Sequence, residues 1–366
     1  MLAFLAAFTA PPVCRLDAQT TGDPTEAFGG VELRTLRFTA LPAVRRLTQI
    51  AIPIGVIANL GRLRLDLGSA YASTRLERTD STSHQVDDLT DTQVRGSYTI
   101  GRDMVVATLA VNLPTGPREA SAQDYSVLGT VSPGLLGFPI AAYANGLSVT
   151  GGAAVAREVG TRWSVGLAGS LRVSRRFTPY VDSTGPISYQ PGLETRIRGA
   201  ADGLLGSSRL AVALTFSTFG TDQFGGSGTT RGEYRPGPRW LAEAALSTPL
   251  GSSLLNFSVW TFHRAAGDTT GFSVGNREDL SAAELSLAVP LGGAWTAEPN
   301  LSGRVSRVDE GRGRMVGLGI NLRLRLTDRI SVLPAARWDV GSLQAESGGR
   351  KRFSGWYLAG MARAGF

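Results

Sequence analysis

Residues 316–326 read Val316-Gly317-Leu318-Gly319-Ile320-Asn321-Leu322-Arg323-Leu324-Arg325-Leu326, with every even position apolar and every odd position Gly, Asn or Arg. A helix turns by about 100° per residue and would smear both classes around its axis, whereas a strand sends successive side chains to opposite faces. The segment predicts a strand with one apolar and one cationic face. The same period recurs at Trp163, Val165, Leu167, Leu171 and Val173 against Arg162, Ser164, Ser170 and Arg172. It recurs again at Leu63, Leu65 and Leu67 against Arg62, Arg64 and Asp66.

Sixteen segments carry this pattern: 31–41, 47–57, 62–76, 91–101, 103–113, 146–158, 161–174, 188–203, 207–219, 235–248, 252–265, 279–291, 294–308, 313–326, 329–343 and 352–366. Short turns such as Gly101-Arg102, Gly160-Thr161, Gly292-Gly293 and Thr327-Asp328 alternate with long loops at 77–90, 114–145, 175–187, 220–234 and 266–278. That asymmetry fits periplasmic turns opposite extracellular loops. A soluble sandwich or propeller also alternates, but these segments are long enough to cross a bilayer at the usual tilt. Aromatics at Tyr71, Trp163, Trp240, Trp295, Trp338 and Tyr357 sit near segment ends, as interfacial girdles require. The last segment closes on Phe366, which resembles the assembly signal that barrel-assembly machinery reads. The expected fold is all-β: an up-and-down antiparallel transmembrane β-barrel of about sixteen strands. Fourteen is the competing count, because in the first segment Arg34 and Arg37 fall on opposite faces and Leu36 and Phe38 break the alternation.

Composition agrees. Hydrophobic residues make up 42% of the 366-residue chain but charged ones only 18%, below the roughly 25% of soluble domains. Residues 1–18 read as a signal peptide, 19–30 as a short periplasmic leader and 31–366 as a single barrel. The expected destination is the outer membrane of a Gram-negative cell, after export to the periplasm. The leader is too short for the plug of an energised receptor. Cys14 is the only cysteine and lies in the signal segment, so disulfides and thiolate chemistry are not expected. No cofactor or metal is expected either, the two histidines, His84 and His263, being far apart in sequence. The net charge of +7 is dispersed at alternate positions, unlike a nucleic-acid patch.

If the Leu and Val faces meet lipid, the opposite faces place Arg62, Arg64, Asp66, Arg95, Arg162, Arg172, Arg196, Arg198, Glu243, Glu284, Arg304, Arg323, Arg325 and Arg337 in the lumen. A ring of guanidinium groups favours anionic solutes; Arg–carboxylate ladders filling the interior are the alternative reading. The loop 114–145 is oddly apolar, with Leu135, Leu136, Phe138 and Tyr143, and either folds inward as a constriction or packs over the rim or against a neighbouring protomer in a homo-oligomer. Arg350, Lys351 and Arg352, including the sole lysine, are placed to meet lipopolysaccharide phosphates from an outer loop. No nucleophile motif accompanies His263, so no enzyme is expected. The expected function is passive diffusion of small molecules through a channel. A closed barrel with an adhesive or structural role, or a rim-located lipid hydrolase, is the alternative.

Two short stretches, Leu89-Thr90-Asp91-Thr92-Gln93 and Asn112-Leu113-Pro114-Thr115-Gly116, resemble the outer-membrane transporters of the meta-pathway of phenol degradation group. The resemblance implies a barrel that transports small, hydrophobic molecules, and it carries no functional residue onto this chain.

Overall fold

Strands with one apolar face have to pair with one another, and they do so here all the way round. The computed structural model describes residues 25–39, 44–101, 105–117, 119–182, 185–226, 232–269, 272–274, 277–309, 311–345 and 348–366. The expected signal peptide and the start of the leader lie outside these residues. The wall consists of β1 (Glu26–Thr39), β2 (Arg46–Leu60), β3 (Leu63–Glu77), β4 (two pieces, Ser83–Leu89 and Thr92–Ile100), β5 (Val105–Leu113), β6 (Ser148–Val159), β7 (Trp163–Ser174) and β8 (Glu194–Leu205). It continues through β9 (Ser208–Phe219), β10 (Arg239–Leu250), β11 (Ser253–Arg264), β12 (Glu278–Gly292), β13 (Trp295–Val308), β14 (Gly311–Arg325), β15 (Ile330–Ala345) and β16 (Arg350–Gly365).

Each strand pairs antiparallel with its sequence neighbour. The last pairs with the first, from Glu26 opposite Gly365 to Thr39 opposite Arg352. Closure leaves no wall edge, as hydrocarbon demands, since it offers a free N–H or C=O no partner. The count is sixteen. The first strand starts at Glu26, inside the stretch expected to be leader. Tight turns at one end depend on glycines in the left-handed region, such as Gly61 (φ 65°), Gly160 (φ 65°) and Gly206 (φ 64°).

Partners in the ladder share a face, so the register sorts side chains without ambiguity. Val316, Leu318 and Ile320 point outward, Leu318 being 64% exposed, while Met315 and Gly317 point inward and are buried. From Val316 to Leu326 is ten steps of about 3.3 Å, roughly 33 Å along the strand. At a tilt of about 40° that gives an apolar belt about 25 Å tall, the thickness that such barrels present to lipid. The same span separates Trp295 from Val305 on β13 and Trp356 on β16 from Phe366 just past its end, all exposed. The structure is a membrane-spanning barrel. No helix among the described residues is long and apolar enough to cross a membrane.

The outer loops are more ordered than the sequence suggests. Residues 83–89, expected in a loop, continue β4 upward along β3. Parts of the expected loops 175–187, 220–234 and 266–278 join a separate six-stranded sheet made of 177–182, 185–190, 222–226, 232–235, 267–269 and 272–274. Tyr189 stacks on Phe224 at 4.8 Å within it.

Candidate functional site

The segment 114–147, between β5 and β6, folds into the barrel. It opens with a ten-residue helix α1 (Ala122–Val131), started by a capping box in which Ser121 Oγ accepts from the Asp124 N–H and the Asp124 carboxylate accepts from the Ser121 N–H. The Ser121-Ala122-Gln123-Asp124 spacing is the sequence signal for this helix, and an overall reading of strands passes over it. His84 on β4 holds Asp124 at 2.7 Å. Burial raises the Asp124 carboxyl, but hydrogen bonds from His84 and Ser121 outweigh it and hold the group below the ordinary carboxylate range.

Beyond α1 the segment runs along the inner wall, and each step of it is held. Arg304 on β13 donates to the Gly134 carbonyl (2.9 Å), and Arg34 on β1 donates through Nε to the Leu136 carbonyl (2.6 Å). Gln49 on β2 clasps the Ile140 backbone from both sides, accepting its N–H and donating to its C=O, each at 2.9 Å. The Tyr143 hydroxyl meets Thr74 Oγ1 on β3 at 2.6 Å. The anchors sweep round the wall from β13, across the closure seam, to β4.

At β4 lies a knot. Asp91 accepts from Asn112 Nδ2 (2.8 Å), the Gly116 N–H (3.1 Å) and the Asn145 N–H (2.6 Å), while Asn112 Nδ2 also reaches the Gly146 carbonyl. Thr115 Oγ1 accepts from the Thr92 N–H and donates to the Thr90 carbonyl. The two stretches that carry the resemblance therefore meet here. Their polar residues fasten both ends of the inward segment to the wall.

The apolar residues of the segment pack against the wall's inner face. Val127, Val131, Leu135, Leu136 and Phe138 form one cluster with Leu36, Phe38, Leu47, Leu76, Leu280, Met315 and Phe353, all inward-facing wall residues. This explains why Leu36 and Phe38 spoil the alternation of β1: they face the lumen, where an apolar partner waits. Backbone approach needs small residues. At Gly137 (φ 62°) a Cβ would meet the Arg304 guanidinium at 2.5 Å, and at Gly313 it would overlap Leu135.

Behind Leu136, Arg34 Nη1 pairs with Asp339 Oδ2 at 2.7 Å, both side chains 0% exposed. Asp339 is also held by Arg337 Nε at 3.0 Å, and the Arg34 guanidinium lies over the Phe138 ring at 5.7 Å. An ion pair this deep is tolerated only because its hydrogen-bonding capacity is met.

Among the described residues the wall strands β7 to β10 supply none of this clamp's side-chain anchors or apolar contacts. The segment meets this side only above the wall, where Ala120 pairs with Pro179 and Val181, and the strands keep a charged, solvated face. Arg196 (52% exposed) and Arg172 share Glu194, and Arg198 pairs with Glu243 (40% exposed) at 2.6 Å. Arg239 lies beside them over the Phe219 ring at 4.2 Å, its Nε without a hydrogen-bond partner among the described residues. On this face the arginines pair with carboxylates in a ladder and outnumber them.

The register places Arg64, Asp66, Arg95, Glu284, Arg304, Arg323, Arg325 and Arg337 on the inward face with these. Asp66 joins Arg64 and Arg95 near the turn end, far from the clamp. Three expectations are corrected. Arg62 and Arg162 lie in the tight turns, where no wall face holds them. Lys351 faces inward opposite Leu343, the strand alternation putting it on the other side from Arg350 and Arg352. Tyr357, expected in a girdle, also faces inward and donates to Glu32 at 2.9 Å. Phe366 is 71% exposed beside β1, its N–H bound to the Thr25 carbonyl.

His263 faces outward, stacked on Trp240 at 5.4 Å, with Nδ1 2.5 Å from Asp279. No hydroxyl hydrogen-bonds its ring among the described residues. Gln49 and Thr74 are site residues that the sequence reading misses, because neither stands out from its strand's alternation; it notes Arg34 only as a disturbance of the first strand and Asp91 and Asn112 only within the two resembling stretches.

Together these features define a sixteen-stranded barrel of the outer-membrane type with one segment folded inward against its wall. No family model matches the chain and no curated protein matches it in sequence. Among solved structures it is similar to an anion-selective porin from Comamonas acidovorans, with 10% identity over 94% of this chain and 99% of that one and a TM-score of 0.43. It is also similar to a deltaS2S3 mutant of the TodX monoaromatic hydrocarbon channel (10%, 94% and 91%, TM-score 0.48). An outer membrane channel from Pseudomonas putida F1 is similar at 11%, 96% and 98%, with a TM-score of 0.38.

Proposed function

We propose that this protein is an outer-membrane diffusion channel in which the segment 114–147 narrows the lumen and leaves a route along the β7–β10 wall. The observation that carries the reading is the one-sidedness of the clamp. The apolar contacts and buried hydrogen bonds lie toward β11–β16 and β1–β4. The opposite wall presents exposed Arg196 and half-buried Arg198 and Glu243 to water.

A solute on that route passes five arginines, Arg172, Arg196, Arg198, Arg209 and Arg239, against three carboxylates, Glu194, Asp202 and Glu243. A positive excess in a narrow, low-dielectric passage lowers the barrier for phosphate- or carboxylate-bearing solutes. The reading is therefore of an anion-leaning passage. The resemblance of the Asp91 and Asn112 stretches to the phenol meta-pathway transporters supports transport of small molecules in general.

The test is reversal potential in planar bilayers under a KCl gradient. The expected result is discrete conductance steps with anion preference, reduced or inverted by R196E with R198E. Correctly folded protein that inserts silently overturns the channel. Cation preference in the unaltered protein overturns the anion-leaning route.

A further inference from the structure

The outer rim carries a second basic surface, on the lipid side of the wall. Just above the apolar belt, Arg307, Arg312, Arg314, Arg350, Arg352 and Arg37 all lie on the outward register of β13, β14, β16 and β1, and all are exposed. They form rows. Arg307 lies opposite Arg312, which lies opposite Gln344 and through it Arg350; Arg314 lies opposite Ser342, which lies opposite Arg352. Arg37 completes the patch across the closure seam, opposite Ser354.

None of these six forms an ion pair among the described residues. Arg312 donates to Gln344 and Arg350 to Ser342, both neutral acceptors. At the patch's edge Arg46 and Arg75 share Glu77. The rest of the circumference differs. Along the ladder from Arg307 the outward partners are Asp279, His263, Trp240 and Phe216, and near the loop ends of β6 and β7 they are Val149 and Val173. A patch confined to one arc, directly above hydrocarbon, is placed for a ligand that itself straddles that boundary.

The geometry points to the phosphorylated head of lipopolysaccharide as that ligand, held by outward arginines on β13, β14, β16 and β1. Guanidinium forks match phosphate oxygens bidentately. Below them the outward Trp338 and Trp356, 6.4 Å apart, mark where the acyl chains begin. The site corrects the sequence expectation in two respects. It excludes Lys351, and it extends the contact from one loop to a surface over four strands. It stands whether or not the lumen conducts.

The experiment uses full-length protein in phosphatidylcholine nanodiscs, titrated with lipopolysaccharide, with the same lipopolysaccharide after enzymatic dephosphorylation, and with phosphatidylglycerol. The expected result is binding of intact lipopolysaccharide at least tenfold tighter than either comparison lipid. R312Q, R314Q, R350Q and R352Q combined should abolish that margin. R157Q, which removes an outward arginine near the opposite end of β6, should preserve it. Equal binding of the dephosphorylated lipid, or of phosphatidylglycerol, overturns the proposal with the unaltered protein alone. Undiminished binding by the folded fourfold variant overturns it too.

Discussion

Replacing Arg34 with Met tests the clamp at its centre. The guanidinium makes three connections from a fully buried position: to Asp339, to the Leu136 carbonyl and to Met315 Sδ. Removing one member of a buried ion pair costs about 3–5 kcal/mol. Arg337 remains 3.0 Å from Asp339, which places this case near the low end, about 3 kcal/mol. Since 1.4 kcal/mol is a factor of ten, the ratio of docked to undocked segment should fall roughly a hundredfold. In planar bilayers R34M should spend measurable time in a higher-conductance state that the unaltered protein visits rarely. Pairing it with D339N removes the stranded charge, so the double variant should recover at least half of the loss, with a coupling energy of about 1.5 kcal/mol or more. Unchanged conductance and noise in a correctly folded R34M would refute the clamp. A double variant no better than the single would refute the role assigned to the ion pair.

Gln49→Leu strands the Ile140 N–H and C=O, two half-buried groups worth about 1 kcal/mol each, and limited proteolysis should then cut within 133–143 while the wall stays intact. Leu318→Arg puts a charge against lipid and should cost about 2–4 kcal/mol in equilibrium unfolding from vesicles, whereas Asn321→Arg, on the inward face, should cost far less. Because the Asp124 carboxyl is held below its ordinary 3.8, its contribution to seating α1 is complete above that value and declines as pH falls through the depressed one. Channel noise should accordingly rise on acidification below about pH 4, and Asp124→Asn should remove that acid-dependent step.

The sequence alone determined the wall. A two-residue period is a local property, and each strand states which face is apolar without reference to any other residue. About sixteen strands, with fourteen competing because β1 breaks the period, and the outward leucines and inward Arg323 and Arg325 of 316–326 follow from it. It also flagged 114–145 as too apolar for an exposed loop, leaving open which way it folds. Only the tertiary structure decided that Leu36 and Phe38 turn inward to meet Leu136 and Phe138. The partners Arg34 and Asp339 are 305 residues apart, and Asp91 reaches Asn145 across 54. No local pattern encodes such meetings, because they depend on ladder register and on β1 closing against β16, which together bring distant alternating residues to one height on one wall.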